Sequence, residues 1–176
     1  MSEDPIAGEP VAVRIFRTAT NVLRTVLTVS ISLLLAFILL LMFAQAADRY
    51  LVGSGFSAYE QYSKIALVWL VFLGFPVAIL HYESITADLI AHYLSERMLG
   101  VRDLIFNFVM AAMAGLLLFY GLPVMRVGSF MEILGTPFTY WSIYLSFNLG
   151  MALIILILVA RSLAALHAAI ARHNAS

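Results

Sequence analysis

Four apolar runs, each long enough to cross a bilayer, leave this chain few folds to choose from. They cover Thr25 to Ala47, Tyr59 to Leu80, Leu104 to Leu122 and Phe138 to Ala160. About twenty residues of helix span the roughly 30 Å of hydrocarbon. In lipid every backbone N–H and C=O must be satisfied within the protein, so each run is predicted as a helix. Of 176 residues, 63% are hydrophobic and only 11% charged, more apolar surface than a soluble domain of this length can bury. The fold class is an all-α integral membrane protein with four transmembrane helices and no internal repeat.

The polar segments divide the chain into an amino-terminal piece (1–24), the four-span domain (25–160) and a tail (161–176). Met1 to Pro10 is acidic, carries Pro and Gly, and is expected to be disordered in isolation. From Val11 to Arg24, the bases Arg14, Arg17 and Arg24 fall near one helical face among apolar residues. That pattern fits a short helix on an anionic membrane surface, or simply a charged flank to the first span. The first apolar run exceeds a signal-peptide core and has no small-residue cleavage site, so it is expected to be retained. Gly53-Ser54-Gly55 makes a flexible turn, and Pro76 is expected to kink the second span.

The sizeable polar connection, His81 to Asp103, repeats Ile85, Leu89 and Tyr93 at helical spacing, with Asp88, His92, Ser95 and Glu96 between them. It is too short and too charged to cross. An amphipathic interfacial helix between spans 2 and 3 is predicted there. Gly121 and Pro123 are expected to end the third span. Tyr140, Trp141 and Tyr144 form an aromatic belt at the start of the fourth.

Basic residues set the orientation. Arg14, Arg17, Arg24, Arg97, Arg102, Arg161 and Arg172 fall on one side, against Arg49, Lys64 and Arg126 on the other: seven against three. Both termini are therefore expected in the cytoplasm.

Several function classes drop out. The net charge of zero gives no nucleic-acid footprint. With no cysteine there is no thiolate nucleophile and no thiolate metal site. No ionisable residue falls in the central third of any span, so a self-contained proton or ion path is not expected. The deep polar residues are Ser30, Ser32, Asn107 and Asn148, and an interhelical hydrogen bond is the expected role of Asn148. His81, His92, His167 and His173 all lie in connections or the tail, unlike the facing pairs that hold a membrane haem. The patch His81, Glu83, Asp88 and His92 is the one candidate for an enzyme or metal site. Local capping and surface histidines account for it as well, so no cofactor, metal or catalytic residue is assigned.

One motif stands out at the start of the second span. Glu60 and Lys64 sit at i, i+4, acid first, the favourable order on a helix. Charges there must pair or reach the headgroups. Trp69 offers a large flat surface, and Gly74 offers close backbone approach to a neighbouring helix. The plain alternative is an ordinary helix start with a snorkelling lysine.

Taken in order, Glu60, Lys64, Trp69, Phe72-Leu73-Gly74, Ile85 and Asp88 resemble the small membrane subunit of tripartite ATP-independent periplasmic (TRAP) transporters, the DctQ type. The stretch from Pro137 to Gly150, with Trp141 and Tyr144, is similar to that family's fourth-span start. Three positions depart from the pattern: Lys64 where Arg is frequent, Ser84 where His is frequent, and Asn148 where Pro is common. The resemblance implies a non-catalytic subunit that pairs with a large, sodium-coupled transport subunit in the bacterial inner membrane. A periplasmic binding protein would deliver an organic acid. Glu60, Lys64, Trp69, Gly74 and Asp88 become candidates for partner contact or docking, with Arg14, Arg17, Tyr140 and Trp141 as interfacial anchors to membrane lipid. The competing reading is a self-sufficient homo-oligomeric transporter or channel.

Overall fold

The computed structural model describes the backbone of residues 11–53, 58–90 and 96–173, and the side chains of 18–51, 53, 58–81 and 105–163. Four long helices are α1 (Val11–Ala47), α2 (Ala58–Ile90), α3 (Glu96–Gly128) and α4 (Tyr140–His173). At 1.5 Å per residue, the 33 residues of α2 run about 50 Å, well beyond the hydrocarbon thickness. Within the four helices, Thr18–Leu51, Ala58–His81, Ile105–Gly128 and Tyr140–Leu163 are long and apolar enough to cross a membrane. The first of these runs on past the end of α1. There the chain passes without a break into a π-helical turn, Asp48–Val52, which ends at Gly53 in the left-handed conformation.

Extensive packing among the described residues joins α1 to α2, α2 to α4 and α4 to α3. The spatial order is thus α1–α2–α4–α3, an open row with α1 and α3 at its edges. One apolar cluster, Leu27, Leu73, Leu80 and Ile157, ties α1, α2 and α4 together. A second, Ala114, Met151, Ile154 and Leu158, ties α3 to α4 and takes in Phe72 of α2. Arg24 of α1 meets His81 of α2, and Arg161 of α4 meets Ile79 of α2. The start of α1 and the far ends of α2 and α4 therefore share one end of the row.

Several boundaries differ from the sequence expectations. No separate interfacial helix is formed among the described residues. α2 runs on to Ile90 and α3 opens at Glu96, because residues 77–99 hold neither Pro nor Gly to break a helix. Residues 91–95 and the side chains of Ile85 and Asp88 lie outside the described residues. At the amino end, α1 starts at Val11 with no interruption between the Arg-bearing segment and the span. The third span does not stop at Gly121 and Pro123 but continues to Gly128. Pro76 likewise lies inside α2 and is fully buried. Membrane helices tolerate an internal Pro where neighbouring helices shelter the freed backbone group.

Candidate partner-facing surface and its polar anchors

The start of α2 carries the charged pair. Lys64 Nζ lies 2.6 Å from Glu60 Oε1, and both side chains are more than half exposed. Continuing at helical spacing, Leu67, Val71 and Phe75 are also exposed, so they prolong the same stripe down the helix. Gly74 borders this stripe, and a Cβ built on it would meet no atom within 4 Å. Within this chain Gly74 makes no close helix contact, contrary to the expectation for it. Its position leaves a flat spot on an open face.

Trp69 is placed differently. It lies half-buried on the far side of α2, against the cluster of Leu27, Leu73, Leu80 and Ile157. It therefore packs inside the row and does not share a face with Glu60 and Lys64.

The close approaches fall on other glycines. On α3, Ala114, Gly121 and Gly128 recur every seven residues and are all buried, which turns one smooth stripe toward α4. A Cβ at Gly121 would come 2.6 Å from Asn148 Oδ1, and one at Gly128 would come 2.5 Å from the Tyr144 ring. Gly150 of α4 approaches α2 at the Phe72 carbonyl. The sevenfold spacing of Ala114, Gly121 and Gly128 was the signal available in the sequence.

Two arginines, counted above only for orientation, hold the far part of α2. His81 Nδ1 lies 3.0 Å from the Val77 carbonyl, which can only accept, so Nδ1 carries the proton. Nε2 then accepts from the Arg24 guanidinium at 2.8 Å. From the other side, Arg161 donates to the Ile79 carbonyl at 2.7 Å. With both of its ring nitrogens engaged, His81 is not free to ligate a metal. The side chains of Glu83, Asp88 and His92 lie outside the described residues, as do those of Arg14 and Arg17.

Three of the deep polar residues donate to carbonyls of their own helices. Ser30 and Ser32 donate to the carbonyls of Val26 and Thr28 in their own helix. Asn148 Nδ2 donates to Tyr144 of its own helix at 2.8 Å, while its buried Oδ1 has no hydrogen-bond partner. The expected interhelical bond is not made, because the group facing Asn148 is the bare backbone of Gly121. An open hollow of about 260 Å³ between α1 and the start of α2 is lined by Phe37, Leu41, Ala58, Tyr59 and Tyr62. That lining offers no cation to seat a carboxylate.

A sequence model described as "Tripartite ATP-independent periplasmic transporters, DctQ component" matches residues 38–168, from within α1 to within α4. The chain belongs to the DctQ family. No curated protein and no solved structure matches it. DctQ proteins are a component of TRAP transporters, which in general also include a large membrane subunit and a binding protein. With four helices able to span a membrane, this DctQ chain is a multi-pass membrane protein. On it, Glu60, Lys64 and Gly74 lie on or beside one open face of α2, whereas Trp69 lies behind. Tyr140 and Trp141 are exposed at the start of α4.

Proposed function

We propose that this DctQ chain is the static, non-catalytic membrane scaffold of a TRAP transporter. It pairs with a large sodium-coupled subunit that carries an organic acid handed over by a periplasmic binding protein. The observation that carries the reading is how little polar equipment the spans hold among the described residues: Ser30, Ser32 and the Asn148 amide nitrogen donate to carbonyls of their own helices. A chain so equipped moves no ion or acid by itself and suits a fixed support. The open face of α2, with Glu60, Lys64 and Gly74, is the surface assigned to the large subunit. The excess of basic residues at the starts of α1 and α3 and along the far part of α4 supports cytoplasmic termini.

A mild-detergent pull-down of this chain, expressed with its genomic neighbours and read by mass spectrometry, tests the reading. A stoichiometric many-span partner supports it. Recovery of the chain only with copies of itself would sink it in favour of a homo-oligomeric channel.

A further inference from the structure

At one end of the row, two short caps hold large apolar side chains out from the protein. The first is the π-helical turn after α1. Gly53, at φ 73°, closes it by donating its N–H to the Asp48 carbonyl at 2.8 Å. Tyr50 and Leu51 on this turn are each 84% exposed. The second is the connection between α3 and α4. It is a fixed clasp rather than a loose loop: Ile133 N–H donates to the Phe138 carbonyl at 3.0 Å, and Tyr140 N–H to the Met131 carbonyl at 2.9 Å. Gly135, at φ 79°, turns the chain between them. Ile133 is buried beneath the clasp, whereas Phe130 and Leu134 are 88% and 87% exposed.

We propose that these two caps are pegs seated in the interfacial layer of the bilayer, with Tyr50 and Leu51 at one edge of the row and Phe130 and Leu134 at the other. Three observations select lipid as the occupant. From Val127 to Trp141 the only charged residue is Glu132, so the clasp lacks the charge that would hold it out in water. Its apolar tip is continuous with exposed Val124 and Val127 of α3, with Phe138 just before α4 and with Trp141 of α4, the surface that faces lipid in a membrane-spanning pair. Finally, the pegs stand at opposite edges of the row, which a surrounding bilayer reaches together. Because both caps are closed by hydrogen bonds and a left-handed glycine, neither can fold its apolar groups back onto the protein. Two pegs at the edges fix the height and the rotation of the row in the membrane, as a stationary element requires.

The sequence has no cysteine, so single variants Leu51→Cys, Phe130→Cys and Leu134→Cys take a nitroxide label at one place each. The full chain is placed in liposomes, and the access of oxygen and of a water-soluble nickel chelate to each label is compared. Labels at Met113→Cys and Glu132→Cys serve as mid-span and aqueous references. The expected result is a several-fold preference for oxygen over nickel at the three labelled peg positions relative to Glu132→Cys, short of that at Met113→Cys. Nickel access equal to that at Glu132→Cys would overturn the proposal. So would loss of access to both reagents when the large subunit and binding protein are added, since protein would then cover the caps. Should a labelled variant misfold, Phe130→Trp and Leu134→Trp in a Trp69→Phe/Trp141→Phe background report the same depth through quenching by brominated lipid.

Discussion

The carbonyl oxygen of Phe72 meets Gly150 of α4 so closely that a Cβ on Gly150 would lie 2.6 Å from it. The sequence of α2 explains why this carbonyl is available. Four residues on stands Pro76, which has no N–H, so the Phe72 carbonyl loses its helical donor. The bare backbone of Gly150 covers it, and Cα–H contacts with carbonyls recur where membrane helices come this close. Proline and glycine thus form one device on two helices. Gly150→Ala must push α2 and α4 apart, and its expected cost is about 1–3 kcal/mol, the range for overpacking a well-fitted contact. An unfolding midpoint in an SDS titration equal to that of the parent chain would show that the contact is slack.

Gly74 supplies the contrast. A Cβ there meets nothing within 4 Å, and alanine is favoured over glycine in a helix by up to about 1 kcal/mol. Gly74→Ala is therefore expected to leave the isolated chain as stable or slightly more so. If the α2 face seats the large subunit, the same variant lowers recovery of that partner in a pull-down. A loss of stability in the isolated chain would mean that Gly74 packs within the row after all.

The four spans were legible because their signal is length and apolarity, and the i, i+4 spacing of Glu60 and Lys64 was enough to bring their charges together. The order α1–α2–α4–α3 was not. In a bilayer the lipid-facing and protein-facing sides of a helix are both apolar, so composition does not mark which side packs. Leu33 faces outward and Leu27 is buried, yet nothing in the residue type separates them. Gly121 and Pro123 do not end α3, because a breaker in water is tolerated in a packed membrane helix. Gly121 is there to admit Asn148, not to stop the helix. By sequence alone Arg24 and Arg161 are only topology signals, since a contact across 57 or 82 residues of chain leaves no local trace.

Arg24 and His81 link α1 to α2 through a single 2.8 Å bond. A double-mutant cycle with Arg24→Ala and His81→Ala should return a coupling of about 0.5–1.5 kcal/mol, the net worth of one such bond. Additive effects would show that the pair merely coexists in space.

Trp69 lies half-buried among Leu27, Leu73 and Ile157. Trp69→Ala is expected to destabilise the isolated chain by roughly 2–3 kcal/mol, below the 3–5 typical of a fully buried aromatic. Trp69→Phe should recover most of that. The two are separated by measuring stability without partner first and co-purification second. Normal stability with lost co-purification would move Trp69 to the subunit interface and contradict its place in the core.

Glu60 and Lys64 provide the reverse case. Their ion pair is short, but both side chains are more than half exposed, and exposed pairs contribute little to folding. Glu60→Gln with Lys64→Gln is expected to change the stability of the isolated chain by no more than about 0.5 kcal/mol. If this face seats the large subunit, the double variant loses partner or transport while its level in the membrane stays normal. The charge-swapped variant, Glu60→Lys with Lys64→Glu, then separates two roles. It restores the local pair, so recovery of transport would mean that the pair only steadies the helix start. Continued loss would mean that each charge meets a fixed opposite on the partner, because a swapped pair presents like charge to both.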